Sequence, residues 1–390
     1  MRRITSFFAW IALLIQACQP VAYSPSVVTP AVPTVTPEMA PTTASPQEPI
    51  GRSARLAWFS KPPNDSLSLL AENFDFVILT HKDEHVRDEL RFLGKKEPIL
   101  AYLTLIEIRD PGSCTEIPYG NQVANRPGDF CRISTEHPDW FLLDRFGQRI
   151  SKGGVYVMDP GHPAYRAFWL ERARQLIDED GWDGIFIDNV DLSLERLLTQ
   201  YLTLPAVYDQ AEYQQAIEGF LAYVYTVYFR PSNRPVIANL IGLPDDTVWF
   251  RYLQHLDGAL LEDFAVDWHD GYRLPADWEE QLVLLEQTLS QRKTVILVAQ
   301  GERTNLPRQT FALASYLLIS NEKTYFRYTD ADHYEEIWMY PNYSFPLGNP
   351  LGRRYREGNL WRRDFSNGYV LVDPSQHSAI IHVATERSKE

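Results

Sequence analysis

Eight short apolar segments recur between residues 56 and 328, and amphipathic segments separate most of them. Apolar runs of this length are typical of buried parallel strands. The strand candidates are Leu56–Ser60, Phe74–Thr80, Pro98–Leu105, Gly184–Asn189, Pro235–Gly242, Gly258–Phe264, Thr294–Gln300 and Thr324–Tyr328. The helix candidates between them are Ser66–Asn73, Glu84–Leu93, Pro163–Asp180, Glu212–Phe229, Asp245–Leu256, Trp278–Ser290 and Arg308–Ser320.

Repeated strand–helix units predict a parallel sheet with right-handed crossovers. Eight such units most simply close into an α/β fold of the TIM (β/α)8 barrel type. An open doubly wound sheet is the alternative, but no glycine-rich phosphate loop follows any of the strand candidates. In a barrel, the carboxyl ends of the strands form the rim where catalytic residues collect.

Residues 1–18 are typical of a lipoprotein-type signal peptide. Arg2 and Arg3 precede the apolar run Phe7–Ile15, which is too short to span a bilayer. The segment Leu14–Cys18 resembles the lipobox of bacterial lipoproteins, which implies lipidation of Cys18. An ordinary cleaved signal with an incidental cysteine is the alternative. Both interpretations predict an exported protein, and lipidation predicts attachment to a bacterial membrane, at the cell surface or facing the periplasm.

The remaining sequence divides into three parts. Residues 19–50 are rich in proline and threonine and carry little charge, which predicts an extended linker. Residues 51–330 hold the predicted catalytic barrel. Residues 331–390 are predicted to form a short β-rich C-terminal extension packed on the barrel, with strands at Glu336–Tyr340, Tyr369–Val372 and Ala379–Val383.

Charge and composition narrow the set of partners. The chain has 51 acidic and 37 basic residues and a formal net charge of −14. This balance argues against a nucleic-acid partner, because nucleic-acid binding depends on a basic surface. His81, His85 and His162 have no further ligands at zinc-like spacing. No metal and no cofactor are therefore predicted, and the lipid on Cys18 is the only predicted link to a membrane.

Cys114 and Cys131 lie in one loop-like stretch rich in proline and glycine. In an exported protein two such cysteines favour a disulfide. A metal site is the alternative, but it would need additional ligands that the stretch does not offer.

Two segments share one pattern of an Asp-Gly pair, three apolar residues and an acid. The first ends at Asp188 and the second at Glu262. Both acids are predicted at the barrel rim, on the fourth and sixth strands, where they can face each other across a sugar. Glycoside hydrolysis needs one carboxylic acid to protonate the leaving oxygen and one carboxylate to attack the anomeric carbon or activate water. The sequence therefore predicts Asp188 as nucleophile or base and Glu262 as acid/base.

Each carboxylate also has a structural interpretation. Asp188 follows a strand and is suited to cap the N-terminus of a helix. Glu262 is suited to pair with an arginine of the barrel.

The two segments resemble the hypothetical glycoside hydrolase family numbered 15 and, more distantly, the endo-α-1,4-polygalactosaminidase-like barrels of glycoside hydrolase family 114. The resemblance runs from about residue 54 to residue 375. It rests on Tyr102–Glu107, Asp159, Gly181–Asp191, Ala238–Asn239, Glu262, Leu347–Gly348, Pro350–Gly352, Trp361–Phe365 and Asn367–Gly368. Ala238 stands where the polygalactosaminidases tend to carry lysine, so the resemblance does not extend to their amino-sugar substrate.

Further residues are predicted to contact the substrate, some from their place at strand ends and some from the resemblance. They are Trp58, Tyr102, Glu107, Asp159, Asn189, Asn239 and Asp263. The aromatic pair is suited to stack on a sugar ring, and the amides to bond its hydroxyls. Both aromatic residues also suit a plain core position, Glu107 suits a surface loop, and Asp159 suits a turn or a helix cap.

Together these features predict an exported, lipid-anchored glycoside hydrolase that acts on an extracellular or envelope polysaccharide. A resemblance to barrel α-galactosidases favours an α-linked substrate. The alternative is a non-catalytic barrel that binds glycans. A polysaccharide deacetylase is disfavoured, because that chemistry normally uses a histidine-rich metal site.

Overall fold

The computed structural model describes residues 52–117, 121–242, 246–268 and 271–384. All of them fall within one compact unit. The predicted signal peptide, its Cys18 and the predicted linker lie outside the described residues. None of the helices in these ranges is both long and apolar enough to cross a membrane.

The described chain forms one eight-stranded sheet in which every strand runs parallel to its neighbours in sequence order. Its strands are β1 (Ala57–Trp58), β2 (Phe76–Thr80), β3 (Ile99–Thr104), β4 (Gly184–Asp191), β5 (Val236–Ile241), β6 (Gly258–Leu261), β7 (Thr294–Gln300) and β8 (Thr324–Thr329). A parallel bridge between Leu56 and Phe326 brings β8 back to the start of β1. The prediction of a (β/α)8 barrel is therefore confirmed.

Helices surround the sheet. They are α1 (Leu67–Asn73), α2 (Glu84–Phe92), α3 (Asp129–Glu136), α4 (Pro163–Asp178), α5 (Glu195–Tyr201), α6 (Gln210–Val224), α7 (Asp246–Leu253), α8 (Pro275–Ser290) and α9 (Leu306–Ile319). Capping explains where two of them begin. α6 starts before the predicted Glu212 because Asp209 and Glu212 form a capping box. α9 starts before the predicted Arg308 because the Asn305 side chain accepts from the Arg308 N–H.

The buried side chains form two layers. One cluster fills the barrel interior, with Phe59, Ile78, Phe186 and Val298 among its members, and Tyr325 of β8 packs against it. The other lies between the strands and the helices. Because side chains alternate along a strand, each strand contributes to both layers.

A long excursion leaves the barrel between β3 and α4. It contains α3 and a small antiparallel sheet made of Glu107–Arg109, Ser151–Lys152 and Val155–Val157. Cys114 and Cys131 form a disulfide within the excursion.

Removing this disulfide is expected to destabilise the protein by about 3 kcal/mol, because it closes a loop of 17 residues and so restricts the unfolded chain. Urea unfolding of the Cys114→Ser/Cys131→Ser variant would measure the loss. The unmodified protein under reducing conditions serves as the control and is expected to unfold at the same midpoint as the variant. An unchanged midpoint in both would show that the loop is already ordered without the bond.

The C-terminal extension forms a four-stranded antiparallel sheet made of β9 (Tyr355–Glu357), β10 (Leu360–Phe365), β11 (Gly368–Asp373) and β12 (Ser378–Val383). The last two strands were predicted, and the first two were not. The predicted strand at Glu336–Tyr340 is wrong, because this segment packs its buried side chains without pairing to a strand. The buried Arg363 fastens the sheet to the barrel through the carbonyls of Leu317 and Ser320, each 2.9 Å away.

Candidate active site

The polar side chains at the barrel rim continue the rows of apolar side chains that fill its interior. Tyr102, Asp188, Asn239, Glu262 and Gln300 each come two positions after an interior residue. Those interior residues are Leu100, Phe186, Ile237, Leu260 and Val298. Since strand side chains alternate with a period of two, these five polar groups point toward the barrel axis at the carboxyl end of the barrel.

Asp188 and Glu262 meet across one amide. The Asn239 Nδ2 atom donates to Asp188 Oδ1 and to Glu262 Oε2, each at 2.9 Å. β5 lies between β4 and β6 in the sheet, so its rim residue stands between the two acids. Both amide hydrogens of Asn239 are therefore directed at carboxylates, and its contact with a sugar hydroxyl stays a prediction.

Two tyrosine hydroxyls complete the carboxylate pair. Tyr102 donates to Asp188 Oδ2, and Tyr334 donates to Glu262 Oε1 at 3.0 Å. Gln300 in turn donates to the Tyr334 hydroxyl at 3.1 Å. Each carboxylate therefore accepts one bond from a phenol and one from the shared amide.

Sequence reasoning missed Tyr334 and Gln300. Gln300 is a polar residue at the carboxyl end of a strand, and this position was a usable signal. Tyr334 lies in the irregular segment after β8, beyond the predicted end of the barrel at residue 330, where no pattern marks it.

The electrostatics of the two acids differ. Burial and the nearby charge of Asp188 raise the pKa of Glu262 to about 7, although bonds from Asn239 and Tyr334 oppose the rise. Burial also raises the pKa of Asp188, but bonds from Tyr102 and Asn239 stabilise its charged form. Near neutral pH this combination favours one proton on the pair, held by Glu262.

A bulge in β4 sets the direction of Asp188. The register between β4 and β5 shifts between Ile187 and Val190, and Asn189 has a left-handed backbone with φ of 58°. The Asn189 side chain turns away from the cleft and donates to Glu107 Oε2 at 2.5 Å. The hydrogen bond between Asn189 and Glu107 therefore stabilises the bulge that positions Asp188.

Glu107 belongs to a buried ion-pair network beneath this bulge. Arg196 lies 2.6 Å from Glu107 and 2.5 Å from Asp191. Tyr201 donates to Glu107 at 2.8 Å, and Tyr213 donates to Asp191 at 2.8 Å. Burial favours a protonated Glu107, but Arg196 and the hydrogen bonds outweigh it and lower the pKa of Glu107.

Three residues predicted to bind substrate have other partners. Trp58 is fully buried, and its indole N–H donates to the Lys61 carbonyl. Asp159 accepts from the Gly161 N–H at 2.7 Å and from the Tyr208 hydroxyl at 2.5 Å, so it stabilises a turn.

Asp263, the third of these residues, is ion-paired with Arg273. The structure therefore does not bring Trp58, Asp159 or Asp263 into the cleft with the carboxylate pair.

The cleft above the carboxylate pair is narrow, with a volume of about 50 Å³. Its walls include Phe59, Ser60, Phe186 and Tyr334. Ser60 has a φ of 83°, a left-handed conformation that is costly for a residue other than glycine and is found most often at functional sites. In the part of the chain that the structure describes, no group of three acidic, histidine or cysteine side chains is arranged to hold a metal ion.

A parallel barrel with a close pair of carboxylates at the carboxyl ends of its strands is the arrangement found in barrel glycoside hydrolases. The chain belongs to such a family, the hypothetical glycosyl hydrolase family 15, whose family model matches residues 96–369. The predictions of this family and of a glycoside hydrolase are therefore confirmed. No curated protein matches the chain in sequence.

Solved structures with a similar fold include other glycoside hydrolases. The maltogenic α-amylase AmyB from Thermotoga neapolitana is 12% identical with a TM-score of 0.51, over 82% of this chain and 85% of that one. The glycoside hydrolase domain of PelA from Pseudomonas aeruginosa is 18% identical with a TM-score of 0.48, over 74% of this chain and 98% of that one. The more distant resemblance to polygalactosaminidases stays a prediction.

Proposed function

We propose that this protein hydrolyses glycosidic bonds with retention of anomeric configuration, with Asp188 as nucleophile and Glu262 as acid/base. One observation carries the proposal: both carboxylates accept a hydrogen bond from the same Asn239 amide nitrogen. Two oxygens that each lie 2.9 Å from one nitrogen are at most twice that distance, 5.8 Å, apart. With amide hydrogens at their ideal angle the separation is about 5 Å. Retaining enzymes place their carboxyl groups about 5–5.5 Å apart, and inverting enzymes about 6.5–9.5 Å.

The two steps follow from this geometry. In the first, an Asp188 oxygen attacks the anomeric carbon while Glu262 gives its proton to the departing glycosidic oxygen, so that a glycosyl ester forms and the leaving sugar is released. In the second, the Glu262 carboxylate takes a proton from water as the water oxygen attacks the same carbon. This step breaks the ester and returns both groups to their starting states.

The raised pKa of Glu262 predicts the pH dependence. Glu262 must hold its proton to act as the acid, so the rate is expected to fall by up to about tenfold per pH unit above its pKa of about 7. The hydrogen bond from Tyr334 favours the charged form of Glu262. In the Tyr334→Phe variant the fall of the rate is therefore expected to begin at a higher pH. Rates measured from pH 4 to 9 test this. The matched control is Tyr340→Phe, which removes a hydroxyl bonded to the Arg303 carbonyl. If the rate fell at the same pH in both variants, the role of Glu262 as the acid would be contradicted.

We further propose that the substrate is a polysaccharide outside the cytoplasm or in the cell envelope. Support comes from the signal-like residues Arg2, Arg3 and Phe7–Ile15, and from the proline-rich segment 19–50, which at about 3 Å per residue can extend on the order of 100 Å. Such a tether lets an anchored enzyme reach a large immobile substrate. The proposed α-linkage is supported only by the resemblance to barrel α-galactosidases.

The decisive experiment measures reducing sugar released by the purified protein from a panel of bacterial exopolysaccharides, α-linked ones included. Release by the wild-type protein and none by the folded Asp188→Asn variant would support the hydrolase mechanism. Equal release by both would move the chemistry away from Asp188. Binding of a glycan without release by either would favour the glycan-binding barrel.

Lipidation is tested separately at Cys18. Expression of the full chain in bacteria fed radiolabelled palmitate is expected to label the wild-type protein and to give a membrane-bound product. The Cys18→Ser variant is expected to carry no label and to be released in soluble form. Equal labelling of both would contradict the proposed anchor.

A further inference from the structure

A second cavity lies at the seam between the barrel and the C-terminal sheet. This seam cavity has a volume of about 610 Å³, and its walls include Glu286, Asn321, Arg353, Arg354, Trp361 and Arg363. Volumes of about 300–1,000 Å³ are typical of sites that hold small ligands. The cavity is therefore large enough for one or two sugar residues.

The seam cavity is separate from the catalytic cleft. Its barrel residues include Ser290 at the end of α8 and Asn321 just before β8. Both precede strands and so belong to the amino end of the barrel, whereas Asp188 and Glu262 lie at the carboxyl end. A ligand in the seam cavity would not touch the carboxylate pair.

The cavity wall carries excess positive charge. Three arginines and one glutamate line it, and Arg354 holds Glu286 in a bidentate pair with distances of 3.1 and 3.0 Å. Arg363 bonds the carbonyls of Gly352, Leu317 and Ser320. Arg353 is exposed and pairs with no carboxylate in the described residues. The wall therefore has two more positive charges than negative ones, in a chain whose net charge is −14.

Trp361 is held in the same wall between guanidinium groups. Arg354 lies 4.0 Å and Arg356 lies 4.5 Å from the centre of its ring. The Trp361 Nε1 atom and one terminal nitrogen of Arg354 are buried and have no hydrogen-bond partner among the described residues. Buried donors normally have a partner, so these two donors beside one cavity favour an anionic acceptor as its occupant.

From this combination we infer that the seam cavity binds an oxyanion carried by a sugar residue, either the carboxylate of a uronic acid or a phosphate group. An oxyanion offers acceptors to the unpaired donors and a negative charge to Arg353 and Arg363. The Trp361–Phe365 segment, which takes no part in the catalytic cleft, then has a role as the strand that carries this site.

The test follows the indole N–H signal of Trp361 by NMR in the full chain, assigned by its absence in Trp361→Phe. Sodium glucuronate, inorganic phosphate and glucose are titrated separately. A saturable shift with glucuronate, and none with glucose, is expected. In Arg353→Ala the dissociation constant is expected to rise about tenfold, the loss that removing one charge-assisted contact typically causes. Arg145→Ala, an exposed arginine outside the cavity, has the same charge change and is expected to leave the constant unchanged.

Each outcome decides the inference. Glucuronate binding that depends on Arg353 supports a uronic acid, and binding of phosphate alone supports a phosphate-bearing sugar. Absence of saturable binding by either anion would overturn the site, and so would equal weakening in Arg353→Ala and Arg145→Ala. The readout does not depend on hydrolysis, so it remains informative if the proposed catalytic function fails.

Discussion

Replacing Asp188 by asparagine is expected to lower the hydrolysis rate by on the order of 10⁴-fold or more, while the protein stays folded. The amide has nearly the same shape, and its single oxygen can still accept from Asn239 while its NH2 group donates to the Tyr102 hydroxyl oxygen, but it cannot attack the anomeric carbon. Kinetics on a substrate found in the polysaccharide panel, together with a thermal unfolding curve, would measure both quantities.

A rescue experiment separates a nucleophile from a base. In Asp188→Ala, azide can enter the vacated space and attack the anomeric carbon of a substrate with a good leaving group. A retaining enzyme is expected to give a glycosyl azide whose configuration is opposite to that of the substrate, because only one displacement has occurred. The matched Glu262→Ala variant is expected to give an azide of the same configuration, formed on the intact glycosyl–Asp188 ester. If Asp188→Ala gave the azide of the same configuration and Glu262→Ala gave the opposite one, the roles of the two acids would be exchanged.

Replacing Arg196 by methionine is expected to destabilise the protein by about 3–5 kcal/mol. The change leaves Glu107 and Asp191 buried without their positive partner, and the side chain of Asp191 is completely inaccessible. Burial disfavours the charge on Arg196, but the two carboxylates outweigh it and raise its pKa. Denaturant unfolding at neutral pH measures the loss.

An exposed ion pair provides the control for this variant. Arg303 and Glu336 lie 3.4 Å apart with side chains 59% and 30% exposed, and Arg303→Met is expected to cost less than about 1 kcal/mol. The Arg196 variant should also regain part of its stability at low pH, where the two carboxylates become neutral. Equal losses in both variants would mean that the network beneath the bulge contributes little to the fold.

Much of the barrel and its carboxylate pair could be predicted because both depend on local patterns. The apolar runs fixed the positions of the strands, and an acid just after such a run must lie at the rim. Asp188 and Glu262 follow this rule, and Asn239 was identified from the family resemblance. The same alternation could have excluded Trp58, since Ala57 and Phe59 face the barrel interior and the residue between them must face the helices.

The rest of the site depends on contacts between distant parts of the chain. Glu107 resembles a loop acid in sequence, and only the fold brings it 2.6 Å from Arg196, which lies on a short helix that was not predicted. Asp263 is adjacent to Glu262, yet it faces the other way and meets Arg273. Such pairings follow from tertiary packing, which a single sequence does not encode in any local pattern.

The position of Tyr334 has a consequence for how the enzyme matures. Both carboxylates are synthesised well before β8, which closes the barrel, and before Tyr334, which completes the hydrogen bonds of Glu262. A nascent chain that has not yet reached β8 therefore contains both reacting groups, but it lacks the last strand of the barrel and the tyrosine that bonds Glu262. The hydrogen bonds of the carboxylate pair are therefore complete only when the chain has been synthesised past residue 334.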